Sequence, residues 1–272
     1  MGQLGKNLPK IFASIRTKSP LVHNITNYVT VNDCANVLLA VGASPIMADD
    51  IGEAAEITSL SSALVLNIGT LNRRTVESML ASGKRANETG IPVVLDPVGA
   101  GASALRNQTA LEILKRIQIT VLRGNLSELS FLAGMSASTK GVDASESDAG
   151  NDAVFAAVSA AKRYRCTAAV TGAVDVISDG ERTVKLYNGH PMLSRVTGTG
   201  CMTSALAGAC AAVANDPLAA AAAAVASMGI AGELAYESAG KAGTGSFHLA
   251  VIDALSRLDA ALFEKRLKLD EA

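Results

Sequence analysis

The segment Arg195-Val196-Thr197-Gly198-Thr199-Gly200-Cys201-Met202-Thr203-Ser204 carries residue types suited to phosphoryl transfer. Its Gly-Thr-Gly turn runs directly into a long, uncharged, Ala-rich stretch that reads as a buried helix. Gly198 and Gly200 let the backbone turn tightly and come close to a ligand. The first N–H groups of a helix lack partners inside it, and the helix dipole adds partial positive charge there. Together these features make an anion site suited to a phosphate in transfer. Cys201 stands at its mouth, placed to meet the group that attacks the phosphate. The same letters also describe a Gly-rich loop before a core helix with a buried Cys, and the motif alone does not choose.

Other candidates stand where apolar runs end. Asp96-Pro97-Val98-Gly99-Ala100-Gly101 follows Pro92–Leu95. Asp96 suits a magnesium ion beside a phosphate, or it caps the following turn. Gly99–Ala104 formally matches a dinucleotide fingerprint, but Arg123 and Asn125 occupy the place where that motif needs an acidic residue. In Asn125-Leu126-Ser127-Glu128, Glu128 can hold magnesium waters beside a triphosphate, or close a capping box with Asn125. Arg123 and Thr171-Gly172 end two further runs and can meet nucleotide phosphates; a surface Arg and a turn Thr would read alike. His23, His190 and His248 show no metal-ligand spacing, and no HExxH, GxSxG or Walker A sequence is present. That removes the common zinc-hydrolase, serine-esterase and P-loop readings.

These residues need a frame, and the chain supplies one. Apolar runs at Pro45–Ala48, Ala63–Ile68, Pro92–Leu95, Ile119–Leu122, Ala168–Val170 and Asp175–Ser178 read as strands buried on both faces. Helical patterns at Asn32–Val41, Arg73–Thr89, Ala104–Ile117 and Asp152–Arg165 lie between them. Such alternation predicts an α/β domain with a mostly parallel central sheet covered by helices. Glu181–Tyr187 alternates and predicts an antiparallel edge strand, hairpinned to Asp175–Ser178 across Asp179-Gly180. Cys201–Ala214, Pro217–Ala239 and Phe247–Leu267 read as helices, and polar Ser136–Asp152 as a mobile surface loop within one domain spanning residues 1–272. In open parallel sheets, ligands bind at the carboxyl ends of the strands, where the candidates above fall.

Composition sets the outer bounds. Nearly half the 272 residues are hydrophobic (49%), enough for a sizeable core. The net charge is −1 and aromatics are 3% with no Trp, which argues against a nucleic-acid surface. Cys34, Cys166, Cys201 and Cys210 are scattered without a CxxC pair, which fits free thiols in a reducing cytoplasm. The apolar stretches after Val196 and Pro217 are mainly Ala and Gly, which favours buried helices over a membrane span.

Taken in order, Val22-His23-Asn24-Ile25-Thr26-Asn27, Met47-Ala48-Asp49-Asp50, Leu95–Gly99, Arg123–Glu128, Thr171-Gly172 and Gly198–Cys201 resemble the hydroxyethylthiazole kinases, of the ribokinase-like superfamily. The resemblance covers nearly the whole chain. Its specific parts are the HNITN and PIMADD segments and Cys201, which stands where most of the superfamily has Asp. It implies a three-layer ribokinase-like fold and transfer of the γ-phosphate of ATP to the hydroxyl of 4-methyl-5-(2-hydroxyethyl)thiazole, in thiamine salvage. It further implies that Arg123 and Thr171 bind ATP and that Asp96 and Glu128 serve Mg2+. Met47, Gly198 and Asn24 would contact the thiazole, and Cys201 would act as base beside Gly198 and Gly200. The implied assembly is a homotrimer with the thiazole site between subunits. Rival readings are a dehydratase for hydrated NAD(P)H, a hydroxymethylpyrimidine kinase, and a non-catalytic nucleotide-binding regulator. The first would carry Asp at position 201, and the last would tolerate loss of Asp96, Glu128 or Cys201.

Overall fold

The computed structural model describes residues 2–135 and 146–271. Nine strands are formed: β1 (Leu21–Ile25), β2 (Ser44–Ile46), β3 (Ala63–Asn67), β4 (Val93–Asp96), β5 (Val121–Asn125), β6 (Thr167–Thr171), β7 (Asp175–Ser178), β8 (Thr183–Leu186) and β9 (Leu269–Glu271). They make one sheet in the order β2-β1-β3-β4-β5-β6-β7-β8-β9. Strands β1 to β6 are parallel, and β7, β8 and β9 add on antiparallel. The helices are α1 (Gln3–Lys18), α2 (Val31–Ala40), α3 (Ala54–Leu60), α4 (Arg73–Thr89), α5 (Ala104–Arg116) and α6 (Leu126–Ala133). They continue with α7 (Glu146–Tyr164), α8 (Thr199–Val213), α9 (Pro217–Ala239), α10 (Thr244–Arg257) and α11 (Ala260–Arg266).

Side chains alternate across a strand, so the buried runs feed two cores. Val22, Val65, Val94 and Val121 face one layer, packed with Leu206, Cys210 and Ala220–Ala224 of α8 and α9. Leu64, Leu66, Leu95 and Leu122 face the other, packed with Met79, Ile113, Leu129 and Ala157 of α4 to α7. This is the predicted three-layer α/β arrangement. Helix α8 lies so close to the sheet that a Cβ on Gly208 would meet Val65 Cγ2 at 2.6 Å and Val22 Cγ1 at 3.1 Å. Its Ala-rich composition is a packing requirement. The segment Pro217–Ala242 is long and apolar enough to cross a membrane, yet 89% of its most apolar window is buried inside this fold.

Several expectations need correction. The alternating segment forms the predicted hairpin as β8, but it is not the edge, because β9 pairs outside it. The C-terminal helix breaks in two where Asp259 caps α11, its Oδ1 accepting from Leu262 N–H at 2.8 Å. Of the polar stretch Ser136–Asp152, residues 136–145 lie outside the described residues, and from Glu146 the chain is already helical. Strand β1 was hidden by its own polar letters, His23 and Asn24. Met47 and Ala48 fall just beyond the end of β2.

Candidate active site

The carboxyl ends of the central strands converge with the N-terminus of α8. Asn67 ends β3 beside Asp96, which ends β4, and the two are paired in register. Arg123 lies near the end of β5, and Asn125 is registered with Thr171 of β6. Gly198 caps α8 with φ of 89°, a conformation that disfavours any side chain, and no side chain caps the helix N–H groups. A Cβ on Gly198 would also meet Thr30 Cγ2 at 2.8 Å. A Cβ on Gly200 would meet the Arg123 guanidinium at 2.6 Å, so that cation lies directly against the open helix end. Two positive features therefore meet at one point, as an anion site requires.

Cys201 sits in the first turn of α8, half-buried. Its Sγ accepts from Asn27 Nδ2 at 3.2 Å and from Asn67 Nδ2 at 3.3 Å. Asn67 Nδ2 also donates to Asp96 Oδ2 at 2.9 Å, and Ser204 Oγ, one turn further along α8, donates to the same oxygen at 2.7 Å. The sulfur and Asp96 are thus joined through one amide. The other cysteines are fully packed away, and burial pushes Cys34, Cys166 and Cys210 up to about 12.

Asp96 is completely buried, and its Oδ1 has no partner. Burial raises its pKa, while the Arg123 guanidinium 3.7 Å from Oδ2 and the Ser204 and Asn67 bonds oppose that rise and Glu128 adds to it. Arg123 donates to Thr171 Oγ1, and its Nε is buried with no partner. Arg123, Thr171, Thr199 and Gly200 open onto a cavity of about 560 Å³ whose far wall is Asn188–Pro191, Val225 and Met228. That wall is held rigidly. Glu233 Oε1 accepts from Asn188 Nδ2 and Gly189 N–H, and His190 stacks on Tyr236 at 3.6 Å. Asp175 also lines the cavity, and burial lifts its carboxyl to about 7 against a bond from Gly172 N–H and the nearby Arg123 charge.

Glu128 makes both bonds of the capping box: Asn125 Oδ1 accepts from Glu128 N–H, and Glu128 Oε2 accepts from Asn125 N–H at 2.8 Å. Its Oε1 accepts from Gly99 N–H at 2.8 Å. Each oxygen keeps a lone pair, since a carboxylate oxygen can accept twice. Among the described residues no group of three or more His, Cys, Asp or Glu could hold a metal. The pair Asp96 and Glu128, with one bare buried oxygen, still fits Mg2+, which keeps several waters and takes one or two carboxylates beside substrate phosphates.

The other predicted contacts make no hydrogen bond to the sulfur. Asn24 is buried in β1, its Nδ2 donating to Val22 C=O and its Oδ1 unpartnered. Met47 is half-buried past β2, and His23, neutralised in tendency by burial, holds the adjoining Ala48 C=O through Nε2 at 2.7 Å. No side-chain hydrogen bond joins Asn24 or Met47 to Gly198 or Cys201. The residues that reach Cys201 are Asn27, of the HNITN segment, and Asn67, which opens the strand-end stretch Asn67-Ile68-Gly69-Thr70; the sequence marks both places without giving either residue a role. Asn27 closes the HNITN segment and Asn67 ends a strand, and those positions were the available signals.

The hydroxyethylthiazole kinase family profile matches residues 12–261. A hydroxyethylthiazole kinase of Ruminiclostridium cellulolyticum is 62% identical over 272 residues, covering 100% of both chains. One of Clostridium beijerinckii is 60% identical, covering 99% of each. The solved structure of a hydroxyethylthiazole kinase protein from Pyrococcus horikoshii superposes with a TM-score of 0.90 at 45% identity, covering 98% of this chain and 99% of that one. A pyridoxal kinase from Staphylococcus aureus superposes with a TM-score of 0.58 at 15% identity, over 78% of this chain and 87% of that one, a likeness of fold.

Proposed function

The chain belongs to the hydroxyethylthiazole kinase family, and from that premise we propose how its residues divide the work. The enzyme transfers the γ-phosphate of ATP to the hydroxyl of 4-methyl-5-(2-hydroxyethyl)thiazole, a step of thiamine salvage. The observation that carries the assignment of roles is the placing of Cys201 at the open N-terminus of α8, with Arg123 against the same helix end.

In this reading the polyphosphate of ATP lies along Arg123, Thr171 and Gly200, and the nucleoside fills the cavity toward Val225 and Met228. The helix N–H groups around Gly198–Cys201 take the oxygens of the moving phosphoryl group. As the hydroxyl oxygen bonds to the γ-phosphorus and ADP leaves, the Cys201 sulfur, acting as thiolate, takes up the hydroxyl proton. Phosphoryl transfer has a loose transition state, so a modest base suffices when positioning is good. Asp96 and Glu128 would hold Mg2+, which would neutralise phosphate charge. Met47, Asn24 and Gly198 would surround the thiazole. Asn24 and Met47 of one subunit would face Gly198 of another in a homotrimer. A cytoplasmic setting agrees with four unpaired thiols.

A coupled ADP-release assay across the thiazole alcohol, hydroxymethylpyrimidine and NADH hydrate tests the substrate. Turnover should be highest on the thiazole alcohol by at least tenfold. A higher kcat/KM on either alternative would reject the assignment.

A further inference from the structure

We propose that Asn27 and Asn67 are positioning residues for Cys201: their amide N–H groups jointly fix the sulfur, and Asn67 ties it to Asp96. The proposal rests on the reading of Cys201 as the group that meets the substrate hydroxyl.

The argument is an accounting of hydrogens. Asn27 Oδ1 accepts from Val29 N–H, Thr30 N–H and Thr30 Oγ1, each at 3.1 Å. A flipped amide would turn its NH2 against two backbone N–H groups, so the orientation is set by the network. Asn67 Oδ1 accepts from Gly69 N–H at 2.9 Å and from Asn27 Nδ2 at 3.0 Å, which sets the second amide too. Each Nδ2 has two hydrogens. Those of Asn27 go to Asn67 Oδ1 and Cys201 Sγ, and those of Asn67 go to Asp96 Oδ2 and Cys201 Sγ. All four are used, and both residues are buried.

The labour is divided within each side chain. The oxygens hold local backbone, at Val29–Thr30 and at Gly69. The nitrogens hold the sulfur and Asp96. A turn that needed only the oxygens could be built with Asp or Ser. Sulfur is a weak acceptor as a thiol and a much better one as an anion, so two donors converging on it belong to its chemistry more than to the fold. Asn67 further sets the distance between the hydroxyl side of the site and the carboxylate on the phosphate side.

A double-mutant cycle tests this, with kcat, KM for ATP and a thermal melt for each variant. Asn27→Asp keeps the oxygens that hold the turn and removes the donors. It should lower kcat roughly ten- to hundredfold, with KM for ATP within about twofold of wild type. In the Cys201→Ala background the same change should cost at least about threefold less than in wild type, what remains being the donor lost to Asn67 Oδ1. Asn67→Ala should show partial coupling, since its bond to Asp96 survives loss of the sulfur, and it carries the cycle should Asn27→Asp fail to melt cooperatively. Equal losses in both backgrounds, or a loss seen in KM for ATP and not in kcat, would overturn the proposal. Wild-type turnover of Cys201→Ala alone would instead overturn the role of Cys201.

Discussion

The two sides of the site are built on opposite terms. On the sulfur side, Asn27, Asn67 and Cys201 form a closed set in which every amide hydrogen has an acceptor. On the side of Arg123, which lines the cavity, and of Asp96, which faces Arg123, the Asp96 Oδ1 and Arg123 Nε atoms are buried and have no partner. Buried polar groups are nearly always bonded, because a bare one costs on the order of 1–3 kcal/mol. The sulfur side can be complete before substrate arrives, since its task is to hold one acceptor in place. Arg123 and Asp96 face each other at 3.7 Å, yet each keeps one bare atom, Nε and Oδ1, which in the proposed reading ATP and Mg2+ would engage.

The sharpest way to break this contrast is at the cavity side. Arg123→Gln removes the cation at the helix end and should lower turnover by about 10²–10³-fold, as loss of a charge-stabilising donor typically does. A loss under tenfold in the coupled assay would mean that the unmet donor there is not waiting for phosphate.

Cys201 tests the sulfur side. Cys201→Ala should cost around 10²-fold, the low end for a general base, given the loose transition state. Cys201→Asp should stay folded, since the helix end stabilises a carboxylate, and should retain substantial activity. A folded Ala variant with wild-type kinetics beside an inactive Asp variant would reduce the sulfur side to packing.

Glu128 lies between the two descriptions, being satisfied by backbone yet able to accept more. Glu128→Gln must turn an NH2 toward either the Gly99 or the Asn125 N–H, so stability should fall by about 1–3 kcal/mol. The magnesium concentration for half-maximal rate should also rise about tenfold. An unchanged magnesium requirement in a less stable protein would leave Glu128 as a helix cap only.

The smallest effect concerns Asp175. Its carboxyl is lifted to about 7 in the fold and titrates near 4 when unfolded. The protonated form is the one the fold favours, so this contribution is full below about pH 4 and is lost as pH rises through about 7. Asp175→Asn should therefore gain about 1–2 kcal/mol over wild type between pH 5 and 8, a few degrees in melting temperature. Parallel melting curves across that range would show that the carboxyl is relieved by solvent.

Much of the frame was legible in the letters. Runs such as Ala63–Ile68 and Ile119–Leu122 alternate with helical patterns and became β3 and β5, and Gly198-Thr199-Gly200 announced the start of α8. What stayed hidden depends on neighbours that are distant in sequence. Strand β1 contains His23 and Asn24, polar residues that a lone strand would not bury. His23 is tolerated because Thr58 and Ala48 supply partners from elsewhere. The link from Asn67 to Cys201 spans 134 positions and exists only because α8 points its first turn at the end of β3. Asp96 was visible as an acid beside a Gly turn, but its bare oxygen is a property of the packed site alone.

The missing side chain at Gly208 reaches further than packing. It lies seven residues along α8 from Cys201, about 10 Å at 1.5 Å per residue. A helix seated without slack behaves as a stiff rod, and Gly208 is its tightest bearing on the sheet. Adding a methyl at the bearing would lift the rod from Val65 and Val22, and its far end carries the sulfur and the open N–H groups with it. The alignment of donor and acceptor at one end of α8 is thus calibrated by the thickness of one residue two turns away.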